Sequence, residues 1–415
     1  MKLLIFSQYY PPEMGAPQAR LSELAKHLRK MNYEITVLTA MPNYPTGRIF
    51  KGYRGKLRVT EELDGIRVVR TCIWPSKSSK ILPRLISYIS FAFTSVVLGL
   101  WGLGKYDVVL IESPPLFILP SGILIKRLVR ANAIMMVADV WPECLIQTGH
   151  ASDGLALKMM FWLEKFGYNH CQAVALTNPG ARDHIRNRFP HLCNKITVIS
   201  NGVDVNMFRP ELRSDDIRRQ LGAAEGDFLV GYCGLHGIAQ GLDVVVEAAK
   251  KLTGRPNIKF VMIGDGPTKE RLAAKAKELG IRNLLFLDKK PKSEMPAILA
   301  SLDTSLITLK VRYPQTMPSK VYEALASGVP PIVAKGCQAE ALVMSNNAGS
   351  SYEPGDADEL AKVIVELADN KELWNRIRQN ATRLSNRFDR NILAKRTAEI
   401  IEAVAQNRSL PDIEW

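Results

Sequence analysis

The segment Tyr313–Pro330, which reads YPQTMPSKVYEALASGVP, joins two apolar runs in the C-terminal half of the chain. A Pro-Ser pair precedes a series of good helix formers and a Gly-Val-Pro sequence follows them, which predicts a helix over Ser319–Ser327. The apolar runs on either side, Thr304–Ile307 and Pro331–Val333, have the length of buried strands. A strand, a helix and a second strand in this order predict one unit of a parallel sheet.

The same alternation of apolar strands and amphipathic helices occupies both halves of the chain. We therefore predict an α/β fold with two doubly wound, Rossmann-like domains and a cleft between them. Ligands of such sheets bind in the loops that follow the strands, so we expect the functional residues there. The other predicted strands are Lys2–Ser7, Glu34–Thr39, Ile66–Thr71, Asp107–Ile111, Ala133–Val137, Ala173–Leu176, Ile196–Val198, Phe228–Tyr232, Lys259–Ile263 and Leu284–Leu287.

The length of 415 residues exceeds what one hydrophobic core usually supports. The segment Asn201–Asp204 lies where the strand pattern restarts and is a plausible linker. We predict an N-terminal domain over residues 1–203 and a C-terminal domain over residues 204–388. Residues 389–415 are predicted to contain a helix that returns to the N-terminal domain.

The net charge of +14 is unevenly distributed, because residues 1–200 carry 25 Lys and Arg against 13 Asp and Glu. Such a basic half suits nucleic acid or anionic lipid, and no nucleic-acid recognition motif is present. The uncharged stretch Leu85–Gly104 is long enough to cross a bilayer, but a crossing would separate strands of one sheet. It is interpreted as a helix against the cytoplasmic membrane face, with Lys77, Lys80, Arg84 and Lys105 near lipid phosphates. A buried core helix is the alternative.

Several classes of site are disfavoured by missing motifs. No P-loop, no G-x-G-x-x-G after the first strand, no H-E-x-x-H and no G-x-S-x-G occurs. Asp356-Ala357-Asp358 is better interpreted as a helix cap than as a metal-binding D-x-D, so we predict no essential metal. The six cysteines are scattered and the N-terminus lacks a signal-peptide pattern, which predicts a cytoplasmic location.

The start of the helix at Ser319 suits a diphosphate, because free N–H groups and the positive dipole end attract anions. Ser319 is predicted to cap the helix, and Lys320 adds a cation beside it. Glu323, one turn further, is placed to accept hydrogen bonds from ribose hydroxyls. The alternative is an ordinary capped surface helix with a solvated Glu323.

This segment resembles the donor-binding signature of retaining glycosyltransferases of family 4, which have the GT-B fold. Further motifs of that family match Asn201–Asp204, Gly264–Pro267, Asn283–Leu287 and Gly355-Asp356 in the same order. The resemblance covers nearly the whole chain. It implies a nucleotide-sugar donor, such as a UDP-sugar, used as a substrate without a further cofactor, and it places Leu287 beside the base of the donor.

Within the family, the chain resembles the O-antigen and exopolysaccharide branch, including N-acetylfucosamine-type transferases. The matching segments are Tyr10–Glu13, Pro42–Gly47, Asp139–Glu143 and Gly237–Leu242. The resemblance implies transfer of an N-acetylated amino or deoxy sugar to an undecaprenyl-diphosphate-linked acceptor. Such enzymes act at the cytoplasmic face of the inner membrane, which agrees with the basic N-terminal half and its apolar helix.

Two departures from the family pattern concern the donor side. The first Glu of the paired-Glu signature is replaced by Gln315, which forms hydrogen bonds but cannot act as a base or nucleophile. Positions that carry Arg or Lys in many relatives are Gly234 and Gln240 here. The charge of the leaving group then falls to Lys320, to backbone N–H groups around Gly234 and Gly237, and to a protonated His236.

The N-terminal half supplies candidates for the acceptor side. Asp139 follows a predicted strand and is placed to accept the proton of the acceptor hydroxyl, or else to cap the next helix. Glu112 stands where relatives often carry His, as a sugar-binding carboxylate or as a surface group. Gly15 at the start of the first helix allows backbone to approach phosphate or sugar closely. Lesser candidates are Glu13, Arg20, Tyr44, Arg48 and Glu143.

The sequence thus predicts a retaining, metal-independent glycosyltransferase that works with a UDP-sugar, a lipid-linked acceptor and an anionic lipid surface, without nucleic acid. Two alternatives remain. One is a nucleotide-sugar 2-epimerase on the same fold, which needs no lipid acceptor. The other is a non-catalytic scaffold of a polysaccharide assembly complex, which Gln315 and the missing cations would suit.

Overall fold

The structure is a computed structural model that describes residues 1–78, 81–143, 146 and 154–411, without the side chains of residues 16, 17 and 81. The chain divides into two compact units. The first unit contains residues 1–200 together with the described residues from 391 onward, and the second contains residues 201–390. Each unit is built around one sheet.

The sheet of the first unit has the strand order β3-β4-β2-β1-β5-β6-β7-β8 and is parallel except for the β3–β4 pair. Its central strands are buried apolar runs, as expected for a parallel sheet with both faces covered. The strands are β1 (Lys2–Phe6), β2 (Glu34–Ala40), β3 (Arg58–Leu63), β4 (Ile66–Thr71), β5 (Val108–Ser113), β6 (Asn132–Val137), β7 (Ala173–Leu176) and β8 (Ile196–Val198).

The sheet of the second unit has the order β11-β10-β9-β12-β13-β14 and all its neighbours are parallel. The order reverses beside β9, and in such a sheet the carboxyl ends of the strands near that point form the binding crevice. The strands are β9 (Phe228–Cys233), β10 (Ile258–Ile263), β11 (Leu284–Leu287), β12 (Thr304–Ile307), β13 (Pro331–Ala334) and β14 (Ser350–Tyr352).

Helices connect these strands in both units. In chain order they are α1 (Ala16–Lys30), α2 (Ile81–Val97), α3 (Leu119–Leu128), α4 (Leu155–His170), α5 (Pro179–Arg188), α6 (Asp215–Gln220), α7 (Asp243–Lys251), α8 (Lys269–Glu278), α9 (Met295–Ala300), α10 (Lys320–Ala326), α11 (Gln338–Ser345), α12 (Ala357–Asp369), α13 (Lys371–Ser385) and α14 (Arg390–Ala405).

Each sheet is covered by helices that bury apolar side chains. In the first unit, Phe91 of α2, Ile123 of α3 and Leu163 of α4 share the core on one face. Leu21 of α1 and Ile400 of α14 belong to the core on the other face. In the second unit, α7, α8 and α12 contribute to one core with β9 and β10. The α/β fold with two Rossmann-like sheets, predicted from the alternation of strands and helices, is confirmed.

Two strands were not predicted from the sequence, β3 and β14. β3 is an edge strand in which only two of the six residues are apolar and none is fully buried. β14 has three residues, too few for a recognisable pattern. Both lie at sheet edges, where one partner strand suffices and a continuous apolar run is not required.

The helix predicted from the uncharged stretch 85–104 differs in its bounds. α2 begins at Ile81 and ends at Val97, and residues 98–104 form turns and coil. Glycines at 99, 102 and 104 explain the end, since glycine disfavours helix and Gly102 adopts a left-handed φ of 71°. Among the described residues, no helix combines the length and the apolar character that a membrane crossing requires.

Candidate functional site

A cavity of about 630 Å³ lies in the second unit at the carboxyl ends of β9, β10 and β11, beside the start of α10. This is the edge of the sheet at which the sequence places ligands. The residues that line the cavity are Cys233, Gly234, Leu235, Ile263, Gly264, Asp265, Gly266, Lys289, Lys290, Met295, Leu299, Ser305, Ser319, Lys320 and Glu323.

Two glycines make the base of this cavity possible. Gly234 and Gly264 follow β9 and β10 directly, with φ values of 150° and 151° that side chains rarely tolerate. A Cβ on Gly234 would lie 1.8 Å from the Lys320 Nζ, and one on Gly264 would lie 1.8 Å from the Gly234 carbonyl oxygen. The two loops and the lysine therefore meet at a spacing that only glycine permits, and bare backbone faces the cavity.

Lys320 is the cation closest to this glycine backbone. Its Nζ donates a hydrogen bond to the Tyr232 hydroxyl at 3.1 Å and lies 4.3 Å from the centre of the Tyr232 ring. Burial lowers the pKa of Lys320 to about 8, although Cys233 and Glu323 act in the opposite direction. The amine is therefore mostly protonated at neutral pH and incompletely compensated, so a bound anion would stabilise its charge.

The predicted capping role of Ser319 is wrong. Ser319 stands at the N-cap position of α10, but its backbone is helical (φ −62°, ψ −21°) and its side chain makes no capping hydrogen bond. Capping residues usually adopt an extended conformation that brings the side-chain oxygen back to the first N–H groups. The exposed hydroxyl of Ser319 lines the cavity instead, together with Glu323 one turn further along.

The expected role of a protonated His236 is also corrected. The residue is fully buried, and neither ring nitrogen has a hydrogen-bond partner in the described part of the chain. Burial lowers the pKa of His236, and the positive charges of Lys269 and Lys320 lower it further. The ring is therefore neutral at pH 7. The backbone of His236 connects two loops, because its carbonyl accepts hydrogen bonds from the N–H (3.0 Å) and the hydroxyl (2.8 Å) of Thr268.

Two cations of the cavity were missed from the sequence. Lys289 and Lys290 follow β11, are exposed and line the cavity. Their position in the sequence could have indicated them, since they are two and three residues after Leu287, the last residue of a predicted strand. They supply positive charge that Gly234 and Gln240 cannot provide.

Three predicted donor-side residues are not among the described residues that line the cavity, namely Gly237, Leu287 and Gln315. Leu287 is half-buried, and its carbonyl accepts a hydrogen bond from the Lys269 Nζ at 3.1 Å. A Cβ on Gly237 would meet the Gln240 side chain at 2.4 Å. The structure thus brings together Gly234, Ser319, Lys320 and Glu323, and it leaves these three outside the lining.

A second group of predicted residues meets in the first unit. Glu112 belongs to β5 and Asp139 follows the adjacent strand β6, so both carboxylates stand at the same edge of the sheet. Arg20 of α1 forms a salt bridge with the Glu112 carboxylate. Glu112 is 3% exposed, and its second oxygen is buried without a hydrogen-bond partner among the described residues. Arg20 is only a lesser candidate from the sequence, whereas the structure pairs it directly with Glu112.

Desolvation and neighbouring charges shift the pKa of both carboxyls. Burial raises the pKa of Glu112, the Arg20 guanidinium lowers it, and the charge of Asp139 raises it again. Asp139 is accessible to solvent, yet the protein atoms crowded around its carboxylate desolvate it and raise its pKa, against the effect of Arg20. A carboxylate with a raised pKa is a better proton acceptor than one in water.

The lesser candidates have structural partners. The buried Glu13 carboxylate accepts hydrogen bonds from the N–H groups of Asn43 (2.7 Å) and Tyr44 (2.8 Å), so it ties two loops together. Glu143 forms an ion pair with Arg188, and its carboxylate lies 3.3 Å from the His184 Nε2. Gly15 is exposed at the start of α1 with an extended φ of 173°, while Tyr44 and Arg48 lie in a neighbouring loop.

Comparison with known proteins shows the family to which the chain belongs. Residues 15–202 match the family model described as a glycosyl transferase 4-like domain, and residues 213–384 match the one described as glycosyl transferases group 1. WcaI of Escherichia coli K12, described as a colanic acid biosynthesis glycosyl transferase, is 26% identical over 337 residues, which cover 79% of this chain and 82% of WcaI.

The descriptions of two further similar proteins name a nucleotide sugar. The UDP-Gal:alpha-D-GlcNAc-diphosphoundecaprenol alpha-1,3-galactosyltransferase of Escherichia coli is 25% identical over 281 residues, covering 65% of this chain and 68% of that enzyme. The crystal structure of HepE from Anabaena with UDP-glucose has a TM-score of 0.69 at 21% identity, covering 97% of this chain and 100% of HepE. The latter likeness concerns the fold.

The Arg20–Glu112 pair yields a stability prediction. In Arg20→Met, the folded-state pKa of Glu112 rises further above its unfolded value. Folding then costs more as the pH increases, because the unfolded chain releases this proton first. We expect the variant to lose roughly 3–5 kcal/mol of stability at pH 8 and clearly less at pH 5. Urea unfolding followed by tryptophan fluorescence measures both values. Arg20→Lys is the matched control, and an equal loss at both pH values would contradict the assignment.

Proposed function

The chain belongs to the family-4 glycosyltransferases of the GT-B fold, and on that basis we propose a retaining, metal-independent hexosyltransferase of bacterial polysaccharide synthesis. The proposed reaction moves an N-acetylated amino or deoxy sugar from a UDP-sugar to an undecaprenyl-diphosphate-linked acceptor in O-antigen, capsule or exopolysaccharide synthesis. The observation that carries the proposal is the cavity of the second unit, where glycine backbone, Lys320 and Glu323 converge within the family signature.

The donor is proposed to bind in that cavity. Its diphosphate lies against the backbone at Gly234, where Lys320 neutralises part of the charge that develops on the leaving group. Lys289 and Lys290 add positive charge from the end of β11. Glu323 accepts hydrogen bonds from the ribose hydroxyls. The positive charges of these lysines can compensate the negative charge of the diphosphate, which supports a reaction without an essential metal.

The proposed chemistry follows from what Gln315 cannot do. Because an amide is no nucleophile, no glycosyl-enzyme bond forms at this position. The bond between the anomeric carbon and the diphosphate oxygen breaks, and the acceptor oxygen bonds to the same face of the sugar. The acceptor hydroxyl loses its proton in this step. We assign that proton to Asp139, held beside Glu112 and Arg20, because its pKa is raised by desolvation.

The acceptor determines where the enzyme works. The names of WcaI and of the galactosyltransferase support a polysaccharide substrate, and that of the latter a lipid-linked one. We therefore propose a peripheral location at the cytoplasmic face of the inner membrane. Lys77, Arg84 and Lys105 are exposed, as contact with lipid phosphates requires, whereas Lys80 lies outside the described residues.

The protonation state of Lys320 yields the first test of the donor site. UDP affinity should be highest near pH 7 and should weaken as the pH rises through about 8, because the free amine no longer attracts the diphosphate. Lys320→Arg should abolish this pH dependence, and Lys320→Met should weaken UDP binding at least tenfold at pH 7. Calorimetric titration with UDP provides the measurement. Lys277→Met, on the exposed side of α8, is the control.

Unchanged UDP binding in Lys320→Met would remove the donor assignment. A screen of UDP-sugars with membrane extract, scored by radiolabel moved to lipid, then identifies the reaction. An epimerase would turn over donor without any lipid acceptor, whereas a non-catalytic scaffold would bind no nucleotide sugar of the panel.

The close approach at Gly234 yields a second test. In Gly234→Ala, the new methyl group would collide with the Lys320 amine and the backbone would be held at an unfavourable φ of 150°. We expect UDP affinity to fall at least tenfold. Gly254→Ala is the matched control, because no atom lies within 4 Å of the added Cβ at that position. Equal UDP affinity of the two variants would show that the cavity base does not contact the diphosphate.

The proton acceptor yields a third test. Asp139→Asn should reduce kcat for transfer to the lipid-linked acceptor by roughly 10²–10⁴, the usual contribution of a general base. UDP affinity should stay the same, since Asp139 lies in the first unit. Asp183→Asn, at an exposed position of α5, controls for the loss of one carboxylate. Transfer at the normal rate in Asp139→Asn would leave the proton to a phosphate oxygen of the donor.

A further inference from the structure

The helices α2, α3 and α4 form one layer on the first sheet, since α2 packs on α3 and α3 packs on α4. Their inward side chains, among them Phe91, Ile123 and Leu163, fill the core against the sheet. Their other sides face away from the sheet. In an ordinary globular protein those sides would carry polar residues.

The outward side of α2 is apolar instead. Leu82, Ile86, Ile89, Phe93 and Val97 follow one another at intervals of three or four residues, which places them on a single stripe. Between 45% and 67% of each residue is exposed. The uncharged stretch of the sequence therefore supplies both the core and the surface, and the outer stripe is not used for packing within the unit.

The neighbouring helices continue this surface. Leu124 and Leu128 of α3 are 42% and 57% exposed. On α4, Leu155, Met159 and Trp162 are 85%, 38% and 60% exposed. We call these five residues, together with the α2 stripe, the outer apolar face. Exposed apolar side chains are common singly, but ten of them on three helices that pack side by side indicate an interaction surface.

The exposed charged side chains on the described residues of these three helices are all positive. Arg84, Arg127, Lys158 and Lys165 are exposed on the same three helices. The only carboxylate in the sequence of these helices is Glu164, which is fully buried and paired with an arginine of α5. A partner must therefore offer apolar contact and negative charge together.

We propose that the outer apolar face is a docking surface for a bilayer of anionic lipids, with the three helices parallel to the membrane plane. The apolar side chains enter the boundary between headgroups and acyl chains, and the Lys and Arg side chains contact lipid phosphates. A second copy of the chain fits this surface poorly, because a symmetric contact would bring cations against cations. The inference rests on the proposed function for its lipid-linked acceptor.

Vesicle sedimentation of the full chain tests the apolar part. Wild type should bind vesicles of phosphatidylglycerol and phosphatidylethanolamine at 0.15 M salt. The triple variant Ile89→Ser, Phe93→Ser, Leu128→Ser should bind at least tenfold more weakly. Its fold should persist, since these side chains are exposed. Val311→Ser combined with Met344→Ser, which removes exposed apolar groups of the second unit, should bind as wild type.

The same assay tests the charged part. Wild type should bind vesicles of phosphatidylcholine at least tenfold more weakly than the anionic vesicles. Lys158→Gln combined with Lys165→Gln should weaken binding to the anionic vesicles severalfold. Lys277→Gln combined with Lys371→Gln, at exposed positions of the second unit, should leave it unchanged.

Three results would overturn the proposal. They are absence of wild-type binding to anionic vesicles, normal binding by the triple Ser variant, and self-association in ultracentrifugation that depends on Phe93 while vesicle binding does not. The proposed function fails separately, through UDP titration in the absence of vesicles. The triple Ser variant should bind UDP as tightly as wild type. A wild type that binds anionic vesicles but no UDP would retain the docking surface and lose the enzymatic assignment.

Discussion

The close contact between the ends of β9 and β10 is the constraint on which the cavity of the second unit depends. The Gly234 carbonyl lies where a side chain on Gly264 would begin, and the Lys320 amine lies where a side chain on Gly234 would begin. Three chain segments thus occupy a volume that leaves no room for Cβ atoms. This crowding removes water from Lys320 and lowers its pKa, while the tightness of the loops leaves their backbone open to a ligand.

The two units meet opposite electrostatic demands with the same architecture. In the second unit, strand ends carry glycine and lysine, which suit a ligand that is already negative. In the first unit, strand ends carry the carboxyls of Glu112 and Asp139. Arg20 forms a salt bridge with Glu112, and its charge lowers the pKa of both carboxyls. Desolvation raises the pKa of both carboxyls, and the arginine limits that rise. Such a balance offsets part of the cost of placing negative charge where the surrounding protein excludes water.

Burial explains which parts were predictable from the sequence. Inner strands such as Ala133–Val137 and Lys259–Ile263 are mostly buried apolar runs, so their bounds were predicted to within one residue. Lys320 and Glu323 could be predicted because the Pro318-Ser319 pair indicates a helix start directly before them. His236 was not understood, because its burial arises from packing of Tyr232 and Phe286 around the ring, and sequence spacing does not report that. Arg20 was undervalued for a related reason, since its partner lies 92 residues away.

The apolar helix α2 shows how one sequence signal can carry two physical roles. Its 17 residues have only one charged side chain, so composition alone fits a core helix and a membrane-facing helix equally. The structure separates them by position around the axis, with Tyr88 and Phe91 inside and Leu82 and Phe93 outside. The outward apolar residues of α2 are not used for packing within the unit, so an apolar environment other than the protein core would suit them. Because the exposed charges of the same layer are all positive, the composition of this layer matches an anionic interface better than water.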